Sequence, residues 1–284
     1  MEAKVSFENF LFGDGNEIAI DDIDFFIDRL IKLPRIRPHQ LEKAVRLSIE
    51  FSTLVDFGRK LLEKSNECPV LIYQLYKRGI FQFGDIRQFL SNDNTFLLCY
   101  YFRKEIGDFE NFIKSKDKPD DFDESTIEFL ENANDIDQLI EYGYHPSSIE
   151  YCLKYDVIDD IYYFDNLYKK AKRSPFEWSY NPEYLDLLSF SGFFGSIKCF
   201  KHLLMKGFEI NDNVLSMVVC SGCLDLYNLC QGPQFSSNDF VFKASEFCHL
   251  SLLVFMVENG ADIYAINFNV EFLYLMRLLF MYLL

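Results

Sequence analysis

Basic residues are in short supply. The 284-residue chain carries 28 Lys and Arg against 44 Asp and Glu, a formal charge of −16. Nonspecific nucleic-acid binding relies on Lys and Arg displacing phosphate counterions, so this balance argues against it. Anionic membrane surfaces are disfavoured for the same reason. Glycine and proline are also scarce, at 13 and 8, and strand-type alternation is hard to find. The N-terminal MEAKVSFENFLFGDG lacks a basic region followed by an apolar core, so no secretion signal is expected. The most apolar run, Val270 to Leu284, includes Glu271 and Arg277 and falls short of the about 20 apolar residues a spanning helix needs. No transmembrane segment is therefore expected. A glycine-rich phosphate loop of the Walker or dinucleotide type is absent as well.

Apolar side chains are abundant. Hydrophobic residues make up 49% and aromatics 17%, with 31 Phe and 17 Tyr but a single Trp, Trp178. A chain of this length and composition can bury a sizeable core and is not disordered. Eight cysteines, at positions 68, 99, 152, 199, 220, 223, 230 and 248, fall mostly within apolar helical patterns. They read as buried free thiols of a reducing compartment, and the expected location is cytoplasmic.

Apolar residues recur at three- and four-residue spacing nearly everywhere. In IDDIDFFIDRLIKL, Ile20, Ile23, Phe26, Ile27, Leu30 and Ile31 share one face and the acids share the other. Pro34 and Pro38 close that helix, and a second is expected from about Gln40 to Lys64. CPVLIYQLYKRGIFQFGDIRQFL supplies two more, with Pro69 at a start and Gly79 at an end. The most polar stretch, Lys114 to Thr126, is taken as the main boundary. A loop pinned by aromatics is expected over Lys172 to Tyr184. The expected fold class is all-α, an α-solenoid of stacked helical hairpins.

A repeat of helix pairs needs small residues in a short first helix, a glycine at the turn, a leucine-rich second helix and a glycine to stop it. LDLLSFSGFFGSIKCFKHLLMKGFEIND offers Gly195 as the turn and Gly207 as the stop. Gly222 fills the turn slot in NVLSMVVCSGCLDLYNLC, and this unit ends irregularly near Gly232-Pro233. In the third unit Gly260 is the stop and Cys248 holds the turn slot. The turn slots at 195, 222 and 248 are 27 and 26 residues apart. A fainter upstream copy has Gly143 as a stop and Asp156 in the turn slot, a residue that tolerates the left-handed region.

GFFGSIKCFKHLLMKG and VFMVENGADI resemble ankyrin repeats, trimmed from the usual period of about 33 residues. The chain is similar, to about Ile266, to a divergent ankyrin family of parasitic protists that carries an N-terminal helical domain of unknown function. The segments that carry the likeness are Cys68 to Phe81, Ser174 to Ser179 and the repeats themselves. The implied organisation is an N-terminal helical-hairpin domain over 1–116, degenerate ankyrin-like hairpins over 124–171, ankyrin repeats over 180–266 and an atypical apolar tail over 267–284. Solenoids need a terminal unit with a polar outer face, so the array reads as truncated at that tail.

The resemblance implies a protein-binding scaffold with no catalysis and no cofactor. The residues before each turn, Phe193 and Phe194, Ser221, and Glu246 and Phe247, would end the inner helices near a concave surface and are the candidate partner contacts. The net charge predicts a protein partner with a basic surface. Two other classes stay open: a structural subunit of a larger assembly, and an enzyme or zinc protein. Cys220-Ser-Gly-Cys223 has metal-ligand spacing, but structural zinc takes two spaced pairs and only one is present, so no metal site is expected. Cys248 and His249 are sequence neighbours whose side chains diverge on a helix, which does not make a nucleophile and its base.

Overall fold

The computed structural model describes residues 24, 27–28, 30–31, 41–52, 56–91, 95–118, 130, 136–161, 170–172, 174, 176, 184–231, 238–247 and 249–262. Helix dominates among them. Phe10, Phe25, Phe26, Trp178, Cys248 and the tail over 267–284 lie outside the described residues, as does most of the polar stretch after Lys118. The chain divides into two compact units, one running up to Pro146 and the other from Ser147; Ser174 and Phe176 belong to the first.

In the first unit, α1 (Leu41–Phe51) and α2 (Phe57–Glu63) stand where the sequence reads as one long helix. Asp56 accounts for the break: its φ of 66° is left-handed and cannot continue an α-helix. Helix α3 (Pro69–Lys77) has Pro69 in its first turn, where a missing N–H leaves no bond unmade. Beyond its end Gly79 turns the chain at φ 75°, and the Ile80 amide reaches back to the Leu75 carbonyl. Helix α4 (Phe83–Arg87) opens on a reciprocal capping box between Gln82 and Asp85. Helix α5 (Phe96–Tyr101) is buried along its whole length, and α6 (Phe109–Lys114) follows it.

The core of this unit is aromatic. Helix α3 packs against both α1 and α5. The Phe102 ring meets Tyr76 at 5.2 Å, Tyr73 at 5.8 Å and Phe83 at 6.2 Å. Tyr101 meets Phe176 edge-on at 5.5 Å, so the loop expected around the only Trp is held here at Phe176. Helix α7 (Ile136–Tyr142) also belongs to this unit. Its Asp137 receives Lys104 at 2.6 Å and Arg103 at 3.1 Å, and its Glu141 receives Lys77 at 2.8 Å.

The second unit contains helix pairs: α8 (Ile149–Tyr155) with α9 (Ile158–Ile161), α10 (Leu187–Phe194) with α11 (Ile197–Met205), α12 (Asp212–Ser221) with α13 (Leu224–Cys230), and α14 (Asn238–Glu246) with α15 (Leu250–Glu258). The first members lie side by side in chain order, α8 on α10, α10 on α12, α12 on α14, and α9 packs on α11. Between the first two pairs runs the exception to the helical pattern, β1 (Lys170–Lys172) antiparallel to β2 (Tyr184–Asp186), with Ala171 opposite Leu185.

Local sequence sets these helices. Ser148, Asp186 and Asn211 precede α8, α10 and α12, and each side chain accepts the N–H three residues on: Tyr151, Ser189 and Val214. At the other end the chain turns in the left-handed region at Asp156, Gly195 and Gly222, with φ of 56°, 71° and 65°. The stops at Gly143, Gly207 and Gly260 have φ of 79°, 92° and 89°. Successive pairs are also tied by polar bonds. The Ser196 hydroxyl donates to the Leu153 carbonyl, and the Asp156 carboxylate accepts the N–H of Lys198 at 3.2 Å and of Cys199 at 2.9 Å. His249 Nε2 lies 2.6 Å from the Cys220 carbonyl. These bonds satisfy helix-end groups that have no partner within their own helix.

Candidate protein-interaction surface

The turn ends of the first helices are where the sequence puts partner contacts, and the structure buries the four of those residues whose side chains are described. Phe193, Phe194, Ser221 and Phe247 each expose at most 7% of their surface. Helix α10 is the clearest case. Its sequence, LLSFSGFF, is apolar or small on every face, and all eight residues are buried. It is enclosed by α8, α12, α11 and the β1–β2 ladder. A helix apolar all round belongs inside a core, and that signal was available in the sequence. The Phe194 ring lies tilted at 4.9 Å from Phe190 and meets Phe193 edge-on at 5.1 Å. These two rings are core anchors in this structure, not exposed ones.

Ser221 has a local job. Its hydroxyl donates to the Val218 carbonyl and accepts the Cys223 N–H at 3.1 Å, which closes the turn around Gly222. Phe247 stacks on the His249 ring at 6.3 Å beneath the bond from His249 to Cys220. Glu246 ends α14, and its side chain lies outside the described residues.

The corresponding position in the upstream copy behaves differently. Tyr155 directly precedes the turn at Asp156 and is 42% exposed. Its ring lies 4.6 Å from Tyr151, one turn back on α8. The Lys154 ammonium sits 5.2 Å from the Tyr155 ring and 5.9 Å from the Phe194 ring, so a cation–π contact links the two pairs. An aromatic that offers a flat apolar face and a polar tip is well suited to an interface. The sequence already placed Asp156 in a turn slot; carrying that register back one residue picks out Tyr155. Other exposed apolar side chains of this unit are Met205, Leu229 and Phe242.

The thiols are mostly enclosed. Burial pushes the Cys199 and Cys230 thiols up, Cys230 to about 12. Cys220 is buried in α12, while Cys223 is half-buried at the start of α13. No group of three His, Cys, Asp or Glu side chains converges to hold a metal among the described residues. No helix among them is long and apolar enough to cross a membrane.

Fold and surface together define a mostly helical protein whose second unit is made of paired helices. Family models, curated proteins and solved structures yield no match to this chain.

Proposed function

We propose that the chain is a non-catalytic protein-interaction scaffold whose second unit is a short array of degenerate ankyrin-type hairpins. The observation that supports this reading is the file of first helices α8, α10, α12 and α14, each followed by a second helix that packs against it. Left-handed turns at Asp156, Gly195 and Gly222 lie where such an array needs them. A stack of this kind works by presenting side chains from successive units to one partner. Tyr155, flanked by Tyr151 and Lys154, is the anchor on this reading. The chain's charge of −16 favours a partner with a basic surface and an association that weakens with salt. The proposed location is cytoplasmic.

The test is affinity purification of the full chain, with cross-linking, at about physiological and at high salt. A partner captured by the wild type, released by salt and lost with Tyr155→Ala supports the scaffold. A partner held regardless of salt and of Tyr155 favours a permanent structural subunit instead.

A further inference from the structure

Helix α11 is a local exception to the acidity of the chain. Its sequence, IKCFKHLLM, contains no acidic residue, and Lys206 follows immediately. Cys199, Phe200, His202 and Leu203 face inward and are buried. Lys198, Lys201 and Met205, spaced by three and four residues, share the outer face. Met205 is 77% exposed, the largest exposure among the large apolar side chains described. Lys206 extends the strip past the helix end and is also exposed.

These lysines are unlike many of the basic residues of the first unit. There Lys60, Lys64, Lys77, Arg59, Arg78, Arg103 and Lys104 each hold a carboxylate. Lys198, Lys201 and Lys206 hold none among the described residues. The nearby Asp156 carboxylate is already engaged by the backbone N–H groups of Lys198 and Cys199. Burial, and after it the Lys206 charge, push the His202 imidazole below its usual value, so it is neutral at physiological pH and leaves the strip purely lysine.

We propose that the outer face of α11 docks an acidic peptide segment of a partner protein, with carboxylates set against Lys198, Lys201 and Lys206 and one apolar side chain covering Met205. Charge complementarity selects this occupant. A short segment lies within about 8 Å of the strip, the screening length at physiological salt, and so feels the lysines more than any acid beyond that distance. An anionic bilayer or a nucleic acid is extended and meets the field of the whole chain, which is strongly negative. Met205 alone is also too little apolar surface to anchor in a membrane. The inference uses the outer helix face and does not depend on the ankyrin reading.

The experiment is fluorescence anisotropy on the full chain at about 0.15 M salt. The probe is a labelled helical peptide whose glutamates repeat the lysine spacing and whose single leucine is placed to meet Met205. The glutamate peptide is expected to bind at least tenfold more tightly than its glutamine counterpart. Lys198→Glu/Lys201→Glu/Lys206→Glu is expected to weaken it at least tenfold, and Met205→Ser about threefold. Arg87→Glu/Lys114→Glu/Lys118→Glu, the same charge change on the first unit, is expected to leave it unchanged. All seven side chains reversed or trimmed are exposed, and circular dichroism checks that each variant folds. Equal binding of the two peptides, or equal loss in both triple variants, overturns the proposal. So does strip-dependent binding of phosphatidylserine vesicles or of poly(U) in place of the peptide.

Discussion

Replacing Gly192 with alanine adds one methyl group at the closest approach of two helices. A Cβ built on Gly192 falls 2.9 Å from Val218 Cγ2 on α12, 3.4 Å from the Phe200 ring and 3.6 Å from the Val214 carbonyl oxygen. An ordinary carbon–carbon contact is about 3.5–4.0 Å. Val218 is fully buried, and a β-branched side chain in a helix has essentially one rotamer, so it cannot swing aside. Overpacking of this sort costs about 1–3 kcal/mol. Alanine returns about 0.8–1.0 kcal/mol through its better helix propensity. Val218 Cγ2 alone lies inside van der Waals distance, and setting the clash against the propensity gain leaves a net loss of about 0–2 kcal/mol. Urea unfolding followed by far-UV circular dichroism reads this directly, and Tm should fall by roughly 2–4 °C per kcal/mol. The decisive comparison is a double-mutant cycle. In a Val218→Ala background the methyl group has room, so Gly192→Ala should become neutral or stabilising, with a coupling energy of about 0.5–3 kcal/mol. A wild-type background in which Gly192→Ala stabilises by about 1 kcal/mol would refute close packing of α10 on α12.

Asp156 both turns the chain and caps α11, and two substitutions separate the roles. Asp156→Gly keeps the left-handed turn and should lose only the cap, about 1 kcal/mol, whereas Asp156→Ala adds backbone strain of about 1–2 kcal/mol; equal unfolding midpoints for the two would rule out the strain. His249→Ala should cost about 1–3 kcal/mol by leaving the buried Cys220 carbonyl without its partner, and an unchanged urea midpoint would contradict that bond. Iodoacetamide at mildly alkaline pH should label half-buried Cys223 well before Cys199 or Cys230, whose thiols are enclosed and shifted upward; mass spectrometry of the digest gives the order. Lys104, with Arg103, holds the Asp137 carboxyl below its usual range. A lowered folded-state value stabilises above the unfolded value of about 3.9 and is lost as pH falls through the folded one. Asp137→Asn should therefore cost up to about 1 kcal/mol at pH 7 for so exposed a pair and approach wild type near pH 2, and an equal deficit at both pH values would show that the charge is not the cause.

Much of the helical framework can be read from local residue order. Pro69 and Gly79 bracket α3, and the face of Ile27, Leu30 and Ile31 is buried as its spacing implies. The turns at Asp156, Gly195 and Gly222 sit in left-handed backbone at residues that favour it. The N-caps Ser148, Asp186 and Asn211 are equally local signals and would have marked the starts of α8, α10 and α12. The pairing of Lys170–Lys172 with Tyr184–Asp186 is different, because a three-residue ladder leaves almost no periodic trace.

The surface was the harder part. Phe194 and Tyr155 occupy the same place relative to a turn, and each is an aromatic at the end of a short helix. One is in the core and the other faces solvent because α10 is enclosed on all sides while the end of α8 is not. Local sequence determines where a helix starts, stops and turns, since those events depend on φ, hydrogen-bonding side chains and spacing within a few residues. Which apolar side chain remains exposed depends on what arrives from elsewhere in the chain. Burial is a property of neighbours, so only the tertiary structure could tell Tyr155 from Phe194, or leave Met205 uncovered among unpaired lysines.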